Sequence, residues 1–161
     1  EKGGGRRHIG NKALVVIAAQ VDGRGIGRIR MRRVPDNSAD SLLSFVQEAV
    51  KPGSVVLTDG LASYAGLKEA GFRHKVKVRG PNPERASKLL PRVHRVASLL
   101  KRWLLGTHQG AVSREQLDYY LDEFTFRFNR RTSRSRGKLF YRLVDQAVSV
   151  EPVPFSKLAA S

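Results

Sequence analysis

Apolar and polar positions alternate along the chain in several distinct rhythms. "KALVVIAAQV" (12–21) is almost continuously apolar, which predicts a strand covered on both faces. "IGRIRMRRV" (26–34) alternates instead. Ile26, Arg28, Arg30 and Arg32 share one parity, and Gly27, Ile29, Met31 and Arg33 the other. That predicts a half-exposed strand with a basic face. Asp22-Gly23 between the two runs is a hairpin signal. Ser38 or Asn37 is a natural cap for a helix carrying Leu42, Leu43, Val46, Ala49 and Val50 on one stripe, and Pro52-Gly53 ends it. "SVVLT" (54–58) predicts a short buried strand ending at Asp59-Gly60, "LASYAGLKEAG" (61–71) a short helix closed by Gly71, and "FRHKVKV" (72–78) a further strand.

The second half is helical in rhythm. In "PRVHRVASLLKRWLL" (91–105), Val93, Val96, Leu100 and Leu104 line one face, widened by Leu99 and Trp103. "SREQ" (113–116) fits a capping box. Leu117, Tyr120, Leu121, Phe124 and Phe128 then keep helical spacing. "RGPNPERASK" (79–88) reads as a loop, and the chain after Arg131 as a loosely held tail. Strand, strand, helix, strand, helix, strand, helix, helix is the order of a mixed α/β domain. The boundaries expected are a Gly/Arg-rich loop over 1–11, a domain over 12–145 and a tail over 146–161.

Charge changes the picture from fold to partner. The 161 residues carry 30 Lys+Arg against 14 Asp+Glu, a net charge of +16, and such a surface attracts polyanions. The charge is in blocks. Phe72 to Thr107 holds ten basic residues and one acid, and Arg127 to Arg142 seven and none. Asn37 to Gly71 holds two basic residues and four acids, His108 to Phe126 one and four. Such clustering is expected where particular faces meet phosphates. There are no cysteines, which excludes disulfides and thiolate metal sites. No apolar run approaches the roughly 18 residues of a membrane span. The start, "EKGGGRRHIG", has neither an initiator Met nor a signal-peptide pattern, and the expectation is a piece of a longer chain.

Three places bear candidate chemistry. Asp59 stands at the C-terminal end of an apolar strand, where open α/β sheets place their sites; an ordinary Asp-Gly turn is the plainer alternative. His94 and Lys101 are seven residues apart, about two helical turns, so they share a face roughly 10 Å apart along the axis. Taken alone, His94 reads first as a surface or packed histidine and Lys101 as a solvated charge. "RFNRRTSRSRG" (127–137) is suited to phosphate docking or to a basic tail. His8, His74 and His108 show no zinc spacing, and "GRGIG" lacks the Lys-Ser/Thr of a phosphate loop.

Taken together, "VVLTDGLASYAGL", "PRVHRVASLLKRWLLGTHQGAVS" and "YLDEFTFRFNRR" resemble the DDE transposases of bacterial insertion sequences, in the group whose signature is Asp, Asp, then Asn or Glu, with a Lys seven residues on. The likeness covers roughly residues 11–145. It implies a ribonuclease-H-like fold, a mixed sheet flanked by helices, lacking its first strand in this stretch. It implies two Mg²⁺ or Mn²⁺ ions that promote cleavage and transfer of DNA strands, with Asp59 as the second acid of the triad. His94 occupies the third ligand position, 35 positions after Asp59, where Asn or Glu is expected; imidazole suits Mn²⁺ better than Mg²⁺. Lys101 matches the Lys that grips DNA near the scissile phosphate. Arg95, Arg102, Arg127, Arg130 and Arg131 are then the backbone-neutralising residues. The first acid is expected upstream of Glu1, so this stretch alone is expected to be inactive or very weak. DNA ends and target, a homo-oligomer, a cytoplasmic, nucleoid-associated location, and neither a membrane nor a small-molecule substrate are implied as well. A non-catalytic basic nucleic-acid binder and an inactive transposase remnant remain the alternatives.

Overall fold

A short antiparallel hairpin organises one half of the molecule. In the computed structural model, which describes residues 13–77, 89–108, 112–113 and 115–152, strands β1 (Leu14–Asp22) and β2 (Gly25–Val34) pair from Leu14↔Val34 to Asp22↔Gly25. The reversal is made at Gly23, with φ of 51°, so the glycine supplies the left-handed conformation that a tight hairpin needs. The register shifts between Ala19 and Val21. There the Gln20 side chain folds across the hairpin and its Oε1 accepts from the Arg28 amide at 3.1 Å. It lies where a Cβ on Gly27 would stand, 2.7 Å away, so Gly27 makes room for this bulge contact.

Helix α1 (Ala39–Ala49) begins at Ser38, whose Oγ accepts from the Ser41 amide. Leu42, Phe45 and Val46 are its buried residues. Phe45 lies outside the stripe read from the sequence; it is three residues from Leu42 and belongs to the same face. Strand β3 (Val55–Thr58) follows, then a 3-10 helix (Ala62–Leu67), and strand β4 (Arg73–Val76) runs parallel to β3 from Val55↔Arg73 to Thr58↔Val76. Gly71, at φ of 85°, closes the connection, and the Phe72 amide donates back to the Leu67 carbonyl, as in a Schellman end. Helices α2 (Pro91–His108), α3 (Leu117–Asn129) and α4 (Arg136–Val148) complete the described chain. An antiparallel pair and a parallel pair flanked by helices give the mixed α/β architecture expected of a ribonuclease-H-like fold.

β1 separates two apolar clusters. Val15, Ile17 and Ala19 pack with Val96 and Leu100 of α2 and with Leu117, Leu121 and Phe124 of α3. Val16 and Ala18 pack on the other side with Phe45, Val46, Leu67 and Phe72. Both faces are therefore covered, as the apolar run predicts, yet the strand's side chains stay half-exposed because β1 pairs with β2 alone among the described residues.

One expectation is corrected and one element is added. "SVVLT" is not a buried strand: Val55 and Leu57 are exposed and Thr58 is the buried member. Among the described residues only one face of β3 is covered, where Val56 joins the Phe45 and Leu67 cluster, so the opposite parity faces outward. The chain after Arg131 continues as a helix, α4, which the sequence pattern does not predict. That helix is amphipathic, but Phe140, Tyr141, Leu143 and Val148 stay exposed. The loops expected at 1–11 and 79–88 lie outside the described residues.

Candidate active site and basic surfaces

Asp59 leaves the parallel pair at its C-terminal rim. The residue before it, Thr58, is buried, and its Oγ1 lies 2.8 Å from His74 Nε2 on the neighbouring strand. The same hydroxyl accepts from the Gly60 amide at 3.3 Å. Gly60 turns the chain outward with φ of 84°, and a Cβ there would sit 2.7 Å from Val76 Cγ1. No other residue satisfies both conditions without strain. Asp59 is thus lifted out of the strand into solvent, where Oδ1 accepts a long bond, 3.4 Å, from the Leu61 amide. That bond is of the kind that stabilises Asp-Gly turns. It leaves the carboxylate open to a cation or a polar substrate.

Tyr64, on the 3-10 helix, belongs to this rim. Burial first, and the Asp59 charge second, push its phenol above the ordinary value, so the hydroxyl keeps its proton at neutral pH. The reading of the sequence missed Thr58, His74 and Tyr64. The signal for Tyr64 was the tyrosine five residues after Asp59 inside an otherwise small-residue turn. Nothing in the sequence pairs Thr58 with His74, because that contact crosses between strands.

His94 and Lys101 lie on one exposed face of α2, together with Arg95, Ser98 and Arg102. The opposite face carries Val96 and Leu100, buried against β1. Sharing of the face follows directly from the seven-residue spacing. Ser98 Oγ donates to the His94 carbonyl at 2.9 Å. At the start of the helix, Arg92 donates to the Gly25 and Gly23 carbonyls at 2.8 and 2.7 Å. It pins the basic helix to the hairpin turn.

The arginines at the end of α3 divide into three roles. Arg127 pairs with Glu123 one turn back, at 2.7 Å. Arg131 donates to the carbonyls of Ile26, Gly27 and Phe128 and stacks on the Phe128 ring at 3.9 Å. It is tied to the free edge of β2. Arg130 stacks on Phe126 at 3.7 Å, and its Nε is shut from solvent without a partner.

Among the described residues, no hydrogen bond or ion pair joins Asp59 to α2, and no three His, Asp or Glu side chains gather as a metal site would require. No helix among the described residues is long and apolar enough to cross a membrane. The family model described as ISXO2-like transposase domain matches residues 1–129, a span that contains Asp59, His94, Lys101, Arg95, Arg102 and Arg127. A comparison with curated proteins finds no match.

Proposed function

The chain belongs to the ISXO2-like transposase domain family, and from that premise we propose that it is the catalytic domain of an insertion-sequence transposase that cuts DNA strands and joins them to new partners. The family is one of DNA-cutting enzymes; the residue roles and the strand-transfer step are our reading. The observation that carries it is the placing of Asp59, an open carboxylate at the C-terminal rim of a parallel strand pair, within the matched span.

The donor chemistry fits a hard divalent cation in part. Asp59 offers oxygen at an open rim, as Mg²⁺ and Mn²⁺ prefer, and His94 would be a nitrogen ligand at the third position. These two do not complete a site for a pair of cations, so the reading requires at least one further carboxylate ligand. When bound, the cations polarise the phosphate and lower the pKa of a water.

The chain's own residues have separable tasks. Gly60 and the Thr58–His74 contact hold the Asp59 carboxylate at the rim. Tyr64 keeps a proton beside it and so offers a hydrogen-bond donor to a phosphate oxygen or a ligand water. Lys101 supplies a compact positive charge for a phosphate, and Arg95 and Arg102 extend that charge along α2. DNA ends and a target duplex are the partners, with assembly of more than one copy on DNA.

Asp59→Asn tests the reading, in the full-length protein. Mg²⁺- or Mn²⁺-dependent strand cleavage should fall by about 100-fold or more, with DNA affinity unchanged or slightly higher. Cleavage at the wild-type rate would refute the assignment. The imidazole at the third position favours one second reading, a domain that keeps the fold and DNA binding but has lost turnover. His94→Glu gaining cleavage over an inactive parent would support it.

A further inference from the structure

A second basic site shares no lining residue with the Asp59 rim. Between β2, the end of α3 and α4 runs a cleft of about 470 Å³. Arg28 and Arg30 enter it from one parity of β2, Arg130 from α3 and Arg142 from α4. Thr132, Ser133, Asn129 and Gln146 add polar groups, and no Asp or Glu lines it among the described residues.

The cleft gathers like charges without compensation. Elsewhere on the same strand the arginines have acidic partners: Arg32 pairs with Glu48, and Arg33 with Asp118 at 2.9 Å. Arg28, Arg30, Arg130 and Arg142 have no ion pair among the described residues. Arg130 is held there by stacking on Phe126 while its Nε lacks a partner. Burial first, then the charges of Arg142 and Arg28, pull its guanidinium below the ordinary value. An arrangement that raises the cost of its own positive charge is one that an anion relieves.

We propose that this cleft is a phosphate-binding site that holds neighbouring phosphates of one DNA strand and shares no lining residue with the strand pair that bears the cleaving carboxylate. Four guanidinium groups exceed what one phosphate dianion neutralises, which favours a strand over a single ion. Guanidinium forks on three elements suit phosphate oxygens, and the Thr132 and Ser133 hydroxyls and the Gln146 amide beside them are ordinary backbone contacts. The site rests on the transposase reading for the identity of its partner. It adds a grip that fixes register and carries no chemistry.

Binding of a fluorescent duplex, measured over a salt series in EDTA, tests this separately from catalysis. The R28Q/R142Q variant is compared with K51Q/K68Q, which removes the same charge from exposed positions elsewhere. The cleft variant should flatten the slope of log K against log salt by about 1.8, at ~0.9 per phosphate contact, and the control by much less. Its melting temperature without DNA should rise, because repulsion around Arg130 is relieved. Equal slopes for the two variants, or a lower melting temperature for the cleft variant, would overturn the proposal. So would inorganic phosphate competing as well, per phosphate, as the duplex. If Asp59→Asn abolishes cleavage while R28Q/R142Q binds normally, the cleft fails and the catalytic reading stands.

Discussion

Asn129 closes an open sheet edge with one side chain. Its Oδ1 accepts from the Ile29 amide at 2.7 Å, and its Nδ2 donates to the Ile29 carbonyl at 3.0 Å. The amide imitates the next strand, pairing backbone groups that an edge leaves bare. Asn129→Ala should cost about 1–3 kcal/mol, read from urea denaturation. Asn129→Asp keeps the acceptor, loses the donor and should fall between. Gly60 carries a different burden, conformational and steric at once, and Gly60→Ala should cost about 1–3 kcal/mol while misplacing Asp59. Asp36 gives a pH signature. Hydrogen bonds from the Ser38 and Ser41 side chains and the Ser38 amide lower its pKa from 3.8. The folded state therefore favours the carboxylate, and the added stability is present above that value and lost as pH falls through the lower folded one. Asp36→Asn should flatten the pH dependence of the urea midpoint below about pH 4, and an unchanged acid slope would refute the cause. Residues of this kind divide what was legible. Ser38 as cap and Asp59-Gly60 as a strand exit were readable, because their chemistry is local. Asn129 and Thr58 were not, because their partners lie 100 and 16 residues away.

Periodicity succeeded for elements wherever burial was one-sided and continuous. The spacing of Leu117, Leu121 and Phe124 placed α3, and those residues are its buried face. Ring contacts continue the seam, with Trp103 5.6 Å from Phe124 and Phe124 6.0 Å from Phe128. Leu121→Ala should cost about 2–5 kcal/mol, since Leu121 is 2% exposed and packs in the same cluster as Ile29 of β2. A loss below 1 kcal/mol on chemical denaturation would contradict the packing described. Of the capping box at 113–116 only one bond forms, the Gln116 amide donating to Ser113 Oγ at 3.2 Å, and α3 begins at Leu117 with Gln116 in the N-cap position. The pattern misled where an element has few neighbours. An apolar tetrad reads as buried whether or not a second strand lies beside it, so Val55 and Leu57 were taken as inner residues. The apolar positions of α4 were passed over because they sit among arginines.

At the scale of the molecule, charge and site divide the surface. The excess of positive charge was visible in the composition, and its block pattern anticipated the basic face of α2. It did not separate arginines that hold the fold, such as Arg92 and Arg131, from those that face solvent, because that depends on which carbonyls lie within reach. The mixed α/β class and the transposase likeness were legible, and the family match over residues 1–129 agrees with both. The central claim, that the Asp59 carboxylate is a metal ligand in strand cleavage, has one direct test. The chain has no cysteine, so Asp59→Cys introduces a single thiolate in place of the carboxylate. Cleavage is measured in the full-length protein, in Mg²⁺ and then in Mn²⁺. A ligand role predicts loss of activity in Mg²⁺, which prefers oxygen, and partial recovery in the thiolate-tolerant Mn²⁺. Wild-type cleavage by the cysteine variant in Mg²⁺ would contradict the account.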